Sequence, residues 1–116
     1  LLAPTSPPKR VKTVGRISRG FVYVVSRAGV TGVRADVPDG LAELVGRVRA
    51  GVGRLPVAVG FGISTPAQVA AVARLADGVV VGSAVVLAME GAVRGGGDPV
   101  EAAAALVRAL AAATSR

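Results

Sequence analysis

Short β-branched runs at residues 21–25, 57–59 and 78–81 alternate with stretches whose apolar residues recur at helical spacing, and this alternation most constrains the fold. None of the runs shows polar alternation, which suits parallel strands covered on both faces. The intervening stretches carry helix start signals. Ser6-Pro7-Pro8 opens one, with Val11, Val14 and Ile17 recurring on one face. Leu41, Leu44, Val45 and Val48 follow the i, i+3, i+4, i+7 spacing of a second. Thr65-Pro66-Ala67-Gln68 combines a capping residue, a first-turn proline and a glutamine three residues after the cap; Asp98-Pro99-Val100-Glu101 repeats the design with acidic groups and opens a last helix through Val107 and Leu110.

The predicted order is helix, strand, helix, strand, helix, strand, helix, with Leu1-Leu2-Ala3-Pro4 as the end of an earlier strand. Such a series builds right-handed βαβ units and a parallel sheet within one α/β domain over residues 1–116. An open flavodoxin-like sheet needs about this many elements, whereas a (β/α)8 barrel of typical size needs about 250 residues, so the chain corresponds to roughly half of one. Fold class follows from the pattern; closure does not.

With no Cys and no His, disulfides, thiol chemistry, zinc clusters and imidazole-based triads are excluded. Ten Lys or Arg face only Asp36, Asp39 and Glu43 before residue 55, and the rest of the chain is neutral, so the net +7 sits in the first half. No basic run is interleaved with aromatics, so the charge reads as solvated surface rather than as a nucleic-acid module. Residues 55–73 are uncharged, but Pro56, Gly60, Gly62, Ser64, Thr65, Pro66 and Gln68 interrupt them, which argues against a membrane span and for a cytoplasmic protein.

Ligands of parallel α/β folds gather at the carboxyl ends of the strands. Three glycine-bearing turns fall there. Ser26-Arg27-Ala28-Gly29-Val30-Thr31-Gly32 follows the first run, and its glycines admit close approach of backbone amides to an anion. Gly60-Phe61-Gly62-Ile63-Ser64 follows the second and adds an aromatic ring. Gly82-Ser83-Ala84 follows the third and begins the apolar stretch 85–89, predicted to form one extra helical turn whose N-terminus seats a phosphate. Tyr23, inside the first run, is the one phenol. No pair of carboxylates is spaced for proton transfer: Asp36 and Asp39 read as turn and cap, and Glu43, Asp77, Glu90, Asp98 and Glu101 fall within or at the ends of helical segments.

Leu2-Ala3-Pro4-Thr5, residues 20–27, Gly29-Val30-Thr31-Gly32, residues 56–63 and Gly82-Ser83-Ala84 resemble, in order and over essentially the whole chain, the alpha chain of tryptophan synthase. The resemblance implies the C-terminal part of a (β/α)8 TIM barrel, from the end of strand five through helix eight. That family cleaves indole-3-glycerol phosphate to indole and glyceraldehyde 3-phosphate, and the indole passes to a beta chain in an alpha2-beta2 complex. The alpha chain takes no cofactor, the pyridoxal phosphate belonging to the beta chain. By matching positions, Gly32, the Gly62 backbone, Gly82 and Ser83 would hold the substrate phosphate and Phe61 would flank the substrate. Tyr23 would lie beside the catalytic carboxylates, and Thr31 would belong to the loop that closes over the ligand. Val81 departs from the small polar residue common before the Gly-Ser pair. The family's catalytic glutamate and aspartate lie in an N-terminal half outside these positions, so these residues alone are expected to have no catalytic group, no lyase activity and only part of the phosphate grip. The alternative barrels, those of indole-glycerol-phosphate synthase and histidine biosynthesis, share the Gly-Ser turn but not the string from Tyr23 to Gly32.

Overall fold

The computed structural model describes residues 1–25, 40–60 and 65–114. Eight elements follow in order: α1 (Pro8–Ile17), β1 (Val22–Val25), α2 (Leu41–Val52), β2 (Val57–Gly60), α3 (Pro66–Ala73), β3 (Gly78–Val80), α4 (Ser83–Arg94) and α5 (Pro99–Ala112). The strands form a parallel sheet in the order β1-β2-β3. Leu2 extends it by a parallel bridge to Val24, donating from its N–H to Tyr23 O (2.9 Å) and accepting at its carbonyl from Val25 N (2.8 Å). Leu2 thus lies beside β1 through one isolated bridge, on the side where the sequence predicts an earlier strand end. Neighbours in space are neighbours in sequence, with no reversal of direction across the sheet. This is the winding of a barrel wall, whereas an open doubly wound sheet reverses its order at a switch point.

Register assigns the two faces. Val22 pairs with Val57, and Val24 with Val59 and so with Val79. Val22, Val24, Val57 and Val59 are all at most 1% exposed and join the core with Val11, Leu41, Leu44, Val45, Val48, Val69, Val72 and Leu110. The other face carries Tyr23, Val25, Ala58, Gly60, Gly78 and Val80. The unbroken apolar runs therefore serve one valine face under the helices and one face of mostly small residues.

Local signals explain most of the helices. Thr65 closes the predicted capping box: Thr65 Oγ1 accepts from Gln68 N (3.3 Å) and Gln68 Oε1 accepts from Thr65 N (3.2 Å). At α5 the Asp98 carboxylate accepts from Val100 N (2.9 Å), a bond to the second helical residue rather than the reciprocal box of α3. Ser6, which the sequence suggests as a helix start, lies one position upstream of the cap. Pro7 is the N-cap of α1, and the Ser6 hydroxyl accepts instead from Ala3 N (3.0 Å), shaping the turn that precedes the helix. Ile17 is 76% exposed rather than in line with buried Val11, because α1 ends there and the chain turns away at Ser18.

The largest departure is α4. The sequence predicts one extra turn at residues 85–89, but the helix runs for 12 residues and makes a fifth helix, packed against α5. Ala84, Leu87, Ala88, Met89 and Glu90 are strong helix formers, Glu90 pairs with Arg94 across one turn (3.9 Å), and nothing stops the helix before the glycines. There Gly95 and Gly96 donate to Gly91 O and Val93 O, and Gly96 takes φ +77°, which a side chain would resist. No residue of α4 is buried. The Cα radius of gyration is 15.3 Å, above the roughly 13 Å of a compact chain this long, and the longest axis, 50 Å, is about twice the others.

Two polar ties fix the frame. At the N-terminal edge of the sheet, Asp77 Oδ2 accepts from Val57 N (2.8 Å) and pairs with Arg49 (3.0 Å), while Asp77 N donates to Val57 O (2.9 Å). Arg49 also donates to Leu75 O (3.3 Å). Arg47 on α2 donates to Pro4 O (2.8 Å) and Ser6 O (3.1 Å), holding the turn after the Leu2 bridge. Helices α1 and α2 approach closely, since a Cβ on Gly15 would lie 2.7 Å from Val52 Cα. Two alanine substitutions should therefore act in opposite directions on the urea midpoint. Gly15→Ala pushes the helices apart and costs about 1–3 kcal/mol. Gly46→Ala, inside α2 with nothing within 4 Å of the new methyl, gains about 0.5–1 kcal/mol.

Candidate functional site

The three strands end level: Val25 pairs with Gly60, and Gly60 with Val80. The segments after Val25, Gly60 and Val80 thus leave the sheet at one edge, the carboxyl edge, where this fold places its chemistry. Of the residues singled out in the sequence, Tyr23, Gly82 and Ser83 belong to this rim. Thr31, Gly32, Phe61 and Gly62 lie outside the described residues, as do Asp36 and Asp39.

Tyr23 stands on the face opposite the valine layer and is partly exposed there. Its ring crosses to the neighbouring strand over Gly60. A Cβ built on Gly60 would meet the Tyr23 hydroxyl, would lie 2.9 Å from Tyr23 Cζ, and would sit 3.3 Å from Val80 Cβ. Gly60 is therefore a seat for the phenol, and Val80 walls it on the far side. The sequence marks Gly60 as a residue that bares backbone, but its contact with Tyr23 depends on the β1–β2 register, which spacing along one strand does not reveal. Val80 escapes a reading of the sequence because a valine in an apolar run carries no chemical signal.

Gly82 and Ser83 are exposed at the start of α4. Among the described residues no side chain caps this N-terminus, and a Cβ on Gly82 would meet nothing within 4 Å. The first N–H groups of a helix have no intrahelical partner, and here they come with the positive end of a 12-residue helix dipole and a hydroxyl. Val81 points the other way, packing against the core with Val69, Val85, Val107 and Leu110 around it, along an open apolar cleft of about 310 Å³.

The described carboxylates are spread over several elements. Asp77 is in the latch at the opposite edge, in a bend between α3 and β3; Glu90 pairs with Arg94; Asp98 caps α5, with Glu101 in the same first turn; and Glu43 is on the first turn of α2. Among the described residues no group of three or more His, Cys, Asp or Glu is placed to hold a metal ion. None of the described helices is long and apolar enough to cross a membrane.

Because Tyr23 is the one tyrosine and the chain has no Trp, its near-ultraviolet circular dichroism reports this seat directly. Gly60→Ala should abolish or invert the tyrosine band while the far-ultraviolet spectrum is kept. Gly78→Ala, whose methyl would make an ordinary 3.5 Å contact with Ala58 Cβ, should leave the band unchanged. A tyrosine band unaltered by Gly60→Ala would show that the ring lies elsewhere.

Comparison with known proteins gives the family and the fold. Residues 1–115 match the family model described as tryptophan synthase alpha chain. The alpha chain of Chloroflexus aurantiacus is 44% identical over 115 residues, covering 99% of this chain and 42% of the relative. That of a Caulobacter species is 60% identical over 93 residues, covering 79% and 33%. Among solved structures, a Mycobacterium tuberculosis tryptophan synthase matches with TM-score 0.79 at 43% identity, over 97% of this chain and 40% of that one. The alpha chain from Legionella pneumophila matches with TM-score 0.73 at 33% identity, over 97% and 40%. The chain spans about a third to two fifths of the length of these relatives. Its fold is a segment of their (β/α)8 barrel, and the chain belongs to the tryptophan synthase alpha chain family.

Proposed function

We propose that these residues form the phosphate-gripping wall of an alpha-chain barrel that cleaves indole-3-glycerol phosphate to indole and glyceraldehyde 3-phosphate in tryptophan biosynthesis. The observation that carries this reading is the level ending of β1, β2 and β3, with the uncapped start of α4 on the same edge. Amides from successive turns then converge on one anion. Gly82 and Ser83 supply the helix N-terminus and a hydroxyl, and Gly32 and the Gly62 backbone, outside the described residues, are assigned to the same grip. A phosphate dianion suits such a cradle, because several N–H dipoles held by the fold bind it without any basic side chain.

In the same reading the Tyr23 phenol, seated on Gly60, borders the space occupied by the rest of the substrate, which Phe61 also flanks. Thr31 belongs to the loop that closes over the ligand. The cleavage breaks the bond between indole C3 and the glycerol phosphate chain, and it needs one proton delivered to the indole carbon and one removed from the glycerol hydroxyl. The described carboxylates support an inactive assignment for these 116 residues, since those in caps, ion pairs and the Asp77 latch sit away from the rim. The partner is a tryptophan synthase beta chain in an alpha2-beta2 complex, which carries the pyridoxal phosphate; the alpha chain takes no cofactor of its own. The setting is cytoplasmic.

Two measurements on this polypeptide test the proposal. Glycerol phosphate should perturb the amide resonances of Gly82 and Ser83, and Ser83→Ala should weaken its binding several-fold, by about 1 kcal/mol. No perturbation at those amides at saturating ester would refute the phosphate site. Indole release from indole-3-glycerol phosphate should stay at the uncatalysed rate, and turnover comparable to that of an intact alpha chain would refute the inactive assignment.

A further inference from the structure

We draw no further inference here: the strongest candidate, the uncovered apolar surface patch on the α4–α5 helix pair formed by Val86, Leu87, Val93, Val100 and Val107, carries nothing because nothing in the structure shows what covers it.

Discussion

The parallel register of the sheet is the constraint on which the rest depends. Val22, Val24, Val57 and Val59 interlock under α1, α2 and α3, and a one-residue slip would turn the β1 and β2 valines out of the core, bringing in Tyr23 and Val25 from β1 or Ala58 and Gly60 from β2. Burying each such valine is worth roughly 1.5–3 kcal/mol, so the register is held far more firmly than hydrogen bonding alone would hold it. Its consequence is positional: with the valines aligned, Val25, Gly60 and Val80 must end side by side. A common rim is thus a by-product of packing on the opposite face.

The two ends of the sheet are built from different materials. At the N-terminal edge the polar groups are satisfied within the protein, by Asp77 with Val57 N and by Arg49 with Asp77 and Leu75 O. At the carboxyl edge the described groups are kept open, with an uncapped helix start, an exposed glycine and hydroxyl, and a phenol resting where a side chain is missing. These ties lie away from the carboxyl edge, where Gly82 and Ser83 stay exposed. Removing Cβ at Gly60 likewise serves a neighbour rather than the glycine's own conformation, since Gly60 does not take positive φ.

Much of this architecture is legible in the amino-acid sequence, and the reasons differ by residue. The capping box at Thr65 and Gln68 and the helix from Leu41 are readable because the information is local, lying within four residues. The rim is readable because successive strand ends in a parallel fold share an edge. Ser6, Ile17 and the length of α4 mislead where a short motif or periodicity competes with a neighbouring signal. Pro7 takes the cap position from Ser6, and the glycine stop lies six residues beyond the predicted extra turn of α4. The Tyr23–Gly60 contact is invisible in the sequence because it joins residues 37 positions apart, through a pairing the sequence implies but does not index.

The proposed division between gripping and catalysing rests on what each requires. An anion can be held by backbone N–H groups, which every residue but proline possesses, so a site of that kind needs only the fold and room, supplied here by glycine. Proton transfer needs an acid or base side chain at a defined point, and carboxylates are few in this chain, with seven in all. Asp77, Asp98 and Glu90 already hold a latch, a cap and an ion pair. To move Asp77 to the rim would leave Val57 N without the acceptor it has now and Arg49 without its counter-ion. On the function proposed above, this stretch of barrel grips a phosphate with backbone donors, because its described carboxylates at Asp77, Asp98 and Glu90 are already engaged in an ion pair, a cap and a second ion pair.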